Sequence, residues 1–197
     1  MIKTVLTLFI FCYTLTVFSQ QKQLVFDVIH RDKKIGEFVA SRVKNNKIIT
    51  YTSKTAIEAR LLAKINVNYN FEVLYEDDLM QKAYTEVIVN GKRRTDSKTI
   101  KRKNSYLFFD CGDHESTINY PISFSSILLI FEEPISVSKI YSEENGNFQK
   151  ITRVKSHCYT KENKKGRVNT YFYRNGLLQK AFIDSGLIDF ELQIQEK

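Results

Sequence analysis

The clearest pattern in the chain is a strict alternation of apolar and polar positions. Ile65, Val67, Tyr69, Phe71, Val73 and Tyr75 alternate with Asn66, Asn68, Asn70 and Glu72. A period of two predicts a half-buried antiparallel strand with one wet face. The same phase runs back through Ile49, Tyr51, Ile57 and Leu61. One strand from 49 to 75 would span roughly 90 Å, more than a small domain holds. The chain must therefore bend within 55–64, as a bulged corner or a short helix.

Turn residues mark the other strands. Segments 23–30 and 34–43 meet across Arg31-Asp32-Lys33, and 79–89 meets 92–102 across Asn90-Gly91. Asn-Gly is the strongest short hairpin signal present. Segments 105–110 and 115–119 flank Cys111-Gly112-Asp113-His114. Strands are also expected at 149–155, 157–161, 167–173, 177–184 and 187–195, with turns at Asn175-Gly176 and Ser185-Gly186. One stretch breaks the alternation. Residues 123–134 are apolar on every side and lie between Pro121 and Pro134. This predicts a short helix near 123–132, capped by Ser123 and ended before Pro134. The expected fold is all-β: a single-domain antiparallel meander curled into a barrel or half-barrel that hides its edges.

The first twenty residues read differently. Lys3 precedes an uncharged stretch from Thr4 to Phe18. This predicts a secretory signal peptide over 1–19 and a single β-rich domain over 20–197. The apolar run, about 14 residues, is shorter than the roughly 20 that a spanning helix needs. No later segment is long and apolar enough for such a helix, so no transmembrane segment is expected after cleavage. The expected location is the periplasm, the outer-membrane periphery or the extracellular space. Export would allow a disulfide between Cys111 and Cys158, worth about 4 kcal/mol in the chain-entropy model. The alternative is two free thiols.

Several segments resemble an uncharacterised family of exported β-proteins from Bacteroidota-type bacteria. They are Phe26-Asp27-Val28-Ile29 with Lys33-Lys34-Ile35-Gly36, Leu128 to Pro134 followed by Tyr141-Ser142-Glu143, and Tyr171 to Leu177 with Asp184-Ser185-Gly186-Leu187. The resemblance implies a periplasmic or secreted protein with a lipocalin-like barrel or half-barrel. It implies no activity.

Composition narrows the function classes. The chain is 43% hydrophobic and 26% charged, with 7 Gly and 2 Pro among 197 residues. These values exclude disordered and collagen-like chains. The net charge of +8 is unevenly spread. Residues 92–103 set Lys92, Arg93, Arg94, Lys98, Lys101, Arg102 and Lys103 against Asp96. Residues 149–174 are similarly basic, and the acidic excess falls in 104–148. The basic strand is either a solvated, aggregation-resistant face or a patch for an anionic envelope surface. Charge on both of its faces argues against an integral outer-membrane barrel. Nucleic acid is not an expected partner, because the RNA-recognition signature is absent and export removes the usual target.

Chemistry candidates are few. Cys111, His114, His157 and Cys158 have the donor types of a zinc site. Adjacent strand residues such as His157 and Cys158 point to opposite faces, however, so no metal or other cofactor is expected. Asp110 and Asp113 around Cys111 would raise its thiol pKa, which opposes a nucleophilic role. Asp110, His114 and Glu115 form the one cluster worth testing for hydrolysis. No catalytic residue is assigned. The alternating aromatic residues and the apolar helix instead suggest a lipid or other hydrophobic small molecule held in a curved sheet. The expected contacts are Tyr69, Phe71, Tyr75, Phe124, Leu128 and Phe131, with 124–131 as plug or lid. The competing reading is that these side chains simply fill the core.

Overall fold

The computed structural model describes residues 20–60, 64–186 and 188–195. The predicted leader, residues 1–19, lies outside them. The described residues form one antiparallel sheet of fourteen strands. In chain order these are β1 (Gln20–His30), β2 (Lys33–Asn45), β3 (Ile48–Arg60), β4 (Lys64–Glu76), β5 (Leu79–Val89), β6 (Lys92–Arg102) and β7 (Ser105–Asp110). They continue as β8 (Asp113–Ile118), β9 (Lys139–Ser142), β10 (Asn147–Lys155), β11 (Cys158–Glu162), β12 (Val168–Arg174), β13 (Leu177–Asp184) and β14 (Asp189–Ile194). Consecutive strands pair throughout β1 to β8, and again throughout β9 to β14. The halves join where β1 pairs with β14, with Val28 opposite Leu192. The edge strands are therefore β8 and β9, neighbours along the chain.

Local chemistry explains the hairpins. Arg31-Asp32, Asp77-Asp78, Asn90-Gly91, Cys111-Gly112 and Asn175-Gly176 all have positive φ at both positions. That conformation matches the twist of the flanking strands, and Asn, Asp and Gly tolerate it best. The Asp77-Asp78 pair is thus a turn.

The bend expected within 55–64 is a complete reversal. Thr55 to Arg60 continue β3, and β4 returns beside it in register from Ile48 opposite Glu76 to Arg60 opposite Lys64. The inward phase carries over intact, with Tyr51 and Val73 paired and both buried. β9, only four residues long, has no counterpart among the sequence-predicted strands.

The edges do not hydrogen-bond to each other, so the sheet stays open, and its two edge regions overlap instead. The β9–β10 hairpin tucks against the inner faces of β6 and β7. Ser97 Oγ donates to the Glu143 carbonyl at 2.9 Å, and the Thr99 and Tyr141 hydroxyls lie 2.9 Å apart. Gly146 packs so tightly on Phe108 that a Cβ there would fall 2.3 Å from the ring.

The segment between the two edges crosses the interior. Its Ile122 carbonyl accepts the Met80 N–H, and Ser125 bridges to Tyr141. The expected helix is a shorter 3-10 helix, Ser126–Ile130. Ser125, not Ser123, stands at its N-cap, and no side chain of that residue caps it. Its Ile127, Leu128, Leu129 and Ile130 are all buried. An element buried on every side loses the helical period, which is why this stretch reads as uniformly apolar.

The same core sorts the inward faces. Phe26, Val28, Ala40, Val73, Met80, Tyr106, Ile140, Tyr141 and Leu178 belong to one buried core with the residues of the 3-10 helix. Cys111 and Cys158 do not meet. Cys111 is exposed in the β7–β8 turn, Cys158 is buried at the start of β11, and both are free thiols. Successive antiparallel registers put these positions at opposite ends of the strands. The same separation keeps His114 away from His157. No helix among the described residues is long and apolar enough to cross a membrane.

Candidate functional site

The 3-10 helix divides the interior of the rolled sheet. On one side the aromatic residues are sealed. Tyr51 packs on Tyr75 and on Phe131 at centroid distances of 5.8 and 5.3 Å. The Tyr75 hydroxyl donates to Ser125 Oγ, and that of Tyr173 to the Leu129 carbonyl, at 2.9 and 2.8 Å. On the other side a cavity of about 430 Å³ opens toward the β9–β10, β11–β12 and β13–β14 turns. This volume falls in the range of small-molecule sites.

The cavity floor is Ile127 and Ile130 of the helix. Its apolar wall comes from Phe38, Phe71, Ile183, Phe190 and Leu192 on β2, β4, β13 and β14. These positions share one face because strand side chains alternate. Ser53, Thr55, Ser142 and Gln149 add polar groups to the lining. Tyr69, Glu144, Asn147, Lys161, Lys164, Lys165, Arg167 and Asn169 lie toward the mouth.

Glu143 fixes the floor. It is 1% exposed, and its carboxylate accepts the Ser126 and Ile127 N–H groups at 3.1 and 3.0 Å. A side chain from the facing hairpin therefore caps the 3-10 helix. Nearby, Lys161 Nζ donates to Ser126 Oγ at 3.2 Å, which draws the ammonium over the same helix end.

Glu144 has a different environment. Water reaches it through the mouth, but the surrounding walls disfavour its charge and raise its carboxyl above the ordinary range. Lys161 and Lys165 oppose that rise, as does a hydrogen bond from Thr95. The Tyr69 hydroxyl is likewise raised by burial and by the Glu144 charge, and is partly offset by a hydrogen bond with Ser185.

The residues singled out from the sequence separate into groups. Tyr69 and Phe71 line the cavity. Tyr75, Leu128 and Phe131 belong to the buried core, and Phe124 packs against it; none of the four lines the cavity. The basic strand is also divided. Lys92, Arg93 and Arg94 stand at one end of β6, Lys101, Arg102 and Lys103 at the other, and Lys98 between them. Arg93 is paired with Glu86 and Asp96 at 3.0 and 2.7 Å. Asp110, His114 and Glu115 are exposed around the β7–β8 turn, where His114 meets Phe109 edge to face and bonds to Thr117. The Lys161–Arg167 rim was not singled out as a site by the sequence reading. The signal was a lysine-rich turn within the basic 149–174 stretch.

A second polar group lies at the far end. His157 Nδ1 is 3.0 Å from Glu133 Oε2, and the Tyr159 hydroxyl donates to Glu133 Oε1 at 2.8 Å. Burial raises the Glu133 carboxyl, but these two hydrogen bonds and the charges of His157 and Arg153 outweigh it and leave it below the ordinary range.

Together these features define an all-β, open-barrel protein with a plugged interior and an accessible cavity mouth. Residues 26–195 match the family described as DUF6134, a domain of unknown function, and the chain belongs to that family. No curated protein matches the chain. A solved structure of similar fold is the β-barrel-like protein of domain of unknown function DUF1849 from Brucella abortus. It shares 8% identity at a TM-score of 0.59, covering 90% of this chain and 96% of that one. At that identity the likeness speaks for the fold alone.

Proposed function

We propose that this chain is an exported binding protein that holds a lipid or other hydrophobic small molecule in its cavity. The observation that carries this reading is the 430 Å³ space between the helix floor and the wall of Phe38, Phe71, Phe190 and Leu192. Apolar surface that solvent can reach is costly when empty, and a ligand would remove it from water. The leader-like residues 1–19 support export. A cleaved chain starting near Gln20 in an envelope fraction would test that part.

The binding claim is tested with N-phenyl-1-naphthylamine, a neutral fluorescent probe. Saturable enhancement at about one probe per chain, lost when Ser53→Phe fills the cavity but not when Lys98→Gln changes the outer face, supports the reading. Absence of saturable binding by the folded wild type refutes it.

The second reading is a scaffold module that uses Lys92 to Lys103 on anionic envelope surfaces. Division of those residues between two strand ends gives it less support than the cavity gives the first. Salt-sensitive retention on anionic liposomes, abolished by Lys/Arg→Glu changes in 92–103, would favour it.

A further inference from the structure

The mouth of the cavity has an unbalanced charge. Lys161 on β11 and Lys164 and Lys165 in the β11–β12 turn all line it. The turn is held in place: Asn163 Oδ1 accepts the N–H groups of Lys165 and Arg167 at 2.9 and 3.1 Å. Among the acidic lining residues, Glu143 is committed to the helix N–H groups. Asp184 faces Arg167 at 3.8 Å and accepts the Gly186 N–H. That leaves Glu144 opposite three ammonium groups. Charges at such a mouth attract an anion over roughly 8 Å at physiological salt. The apolar wall begins directly below them.

We propose that the occupant of this cavity is an anionic amphiphile. Its hydrocarbon chain lies against Phe38, Phe71 and Leu192, and its carboxylate or phosphate head meets Lys161, Lys164 and Lys165. This rests on the cavity being the ligand site. Lysine ammonium groups suit such a head because they act as mobile point charges and tolerate several anion geometries.

The test is displacement of bound N-phenyl-1-naphthylamine from the folded protein by four dodecyl compounds below their micelle concentrations. They are dodecanoate, dodecyl phosphate, dodecanol and dodecyltrimethylammonium. The anions are expected to displace the probe at concentrations about tenfold lower than dodecanol, with the cation weakest. Preference for dodecanoate or for dodecyl phosphate identifies the head. The Lys161→Gln/Lys165→Gln variant should remove most of the anion advantage and leave dodecanol unchanged, while Glu144→Gln should increase it. Lys164→Gln, at an exposed turn position, repeats the test where folding is not at issue. Equal displacement by dodecanol and the anions overturns the proposal, as does an anion advantage that survives the lysine changes. Probe binding that no dodecyl compound displaces also overturns it while sparing the cavity reading. Failure of the probe to bind at all overturns the cavity reading itself.

Discussion

The Glu143 carboxylate accepts the Ile127 backbone N–H at 3.0 Å, across sixteen residues of chain. This bond joins the inner hairpin of the rolled sheet to the plug that divides its interior. Because Glu143 is buried, its removal would leave two backbone donors without partners. Glu143→Ala is expected to destabilise the protein by about 2–4 kcal/mol, the cost of stranding such groups. Glu143→Gln keeps one good acceptor and should cost less. Urea unfolding midpoints would measure both. A loss below 0.5 kcal/mol for the alanine variant, a threshold set at about the size of ordinary surface changes, would show that the cap does not hold the plug.

The overlap of the β9–β10 hairpin on β7 makes a separate prediction at Gly146. An added Cβ would fall 2.3 Å from the Phe108 ring, in a backbone with φ of +62°. Gly146→Ala should cost about 2 kcal/mol or more. Phe108→Leu in the same chain should recover part of that loss. Gly36→Ala is the contrast, because its Cβ would meet the Ala56 carbonyl oxygen at 2.1 Å. That oxygen belongs to the backbone, so no neighbouring side-chain change should rescue it. Thermal unfolding of Gly146→Ala, Phe108→Leu, Gly36→Ala and the Gly146→Ala/Phe108→Leu double variant would decide the matter.

Glu133 predicts a pH dependence. Its carboxyl lies below its ordinary value in the folded chain. A lowered folded pKa stabilises the protein above the unfolded value, near pH 4.5, and that stability is lost as pH falls through the folded value. The stability difference between wild type and Glu133→Gln should therefore be largest at neutral pH and shrink under acid. Chemical denaturation from pH 7 to pH 3 checks this. A pH-independent difference would remove Glu133 as its source.

The thiols give a fourth test. Cys111 is exposed and Cys158 is buried. Cys111 is held above its ordinary thiol pKa by the Asp110 charge. A chain starting at Gln20 should expose one thiol to a disulfide reagent when native and two when denatured. The native reaction should be slow at neutral pH and faster in mild alkali, as the thiolate forms. A denatured mass two daltons low, with no reactive thiol, would instead mean the two are bridged.

Much of the fold was legible in the sequence. The alternation from Ile65 to Tyr75 and the Asn90-Gly91 and Asn175-Gly176 turns mark real strands and turns. Residues 55–64 carry no Gly or Pro, so the sequence offered only a bend there. β9 was invisible, because four residues cannot show a period. The plug was visible as an apolar stretch, but its cap was not, since Glu143 reaches it from another hairpin.

By itself, then, the sequence determined the all-β meander, the inward phase of β3 and β4 and the uneven distribution of charge. Those properties live in neighbouring residues: the alternation of side chains and the φ preferences of turn residues. The tertiary structure decided which inward residues seal a core and which line a cavity. Tyr69 and Tyr75 share one strand and one face, yet only Tyr69 reaches the mouth. The curl of the sheet and the position of the plug also bring Lys161, Lys165 and Glu144 beside Phe38 and Leu192. Pairing of β1 with β14 joins residues more than 160 positions apart, and no local pattern encodes where such distant strands converge.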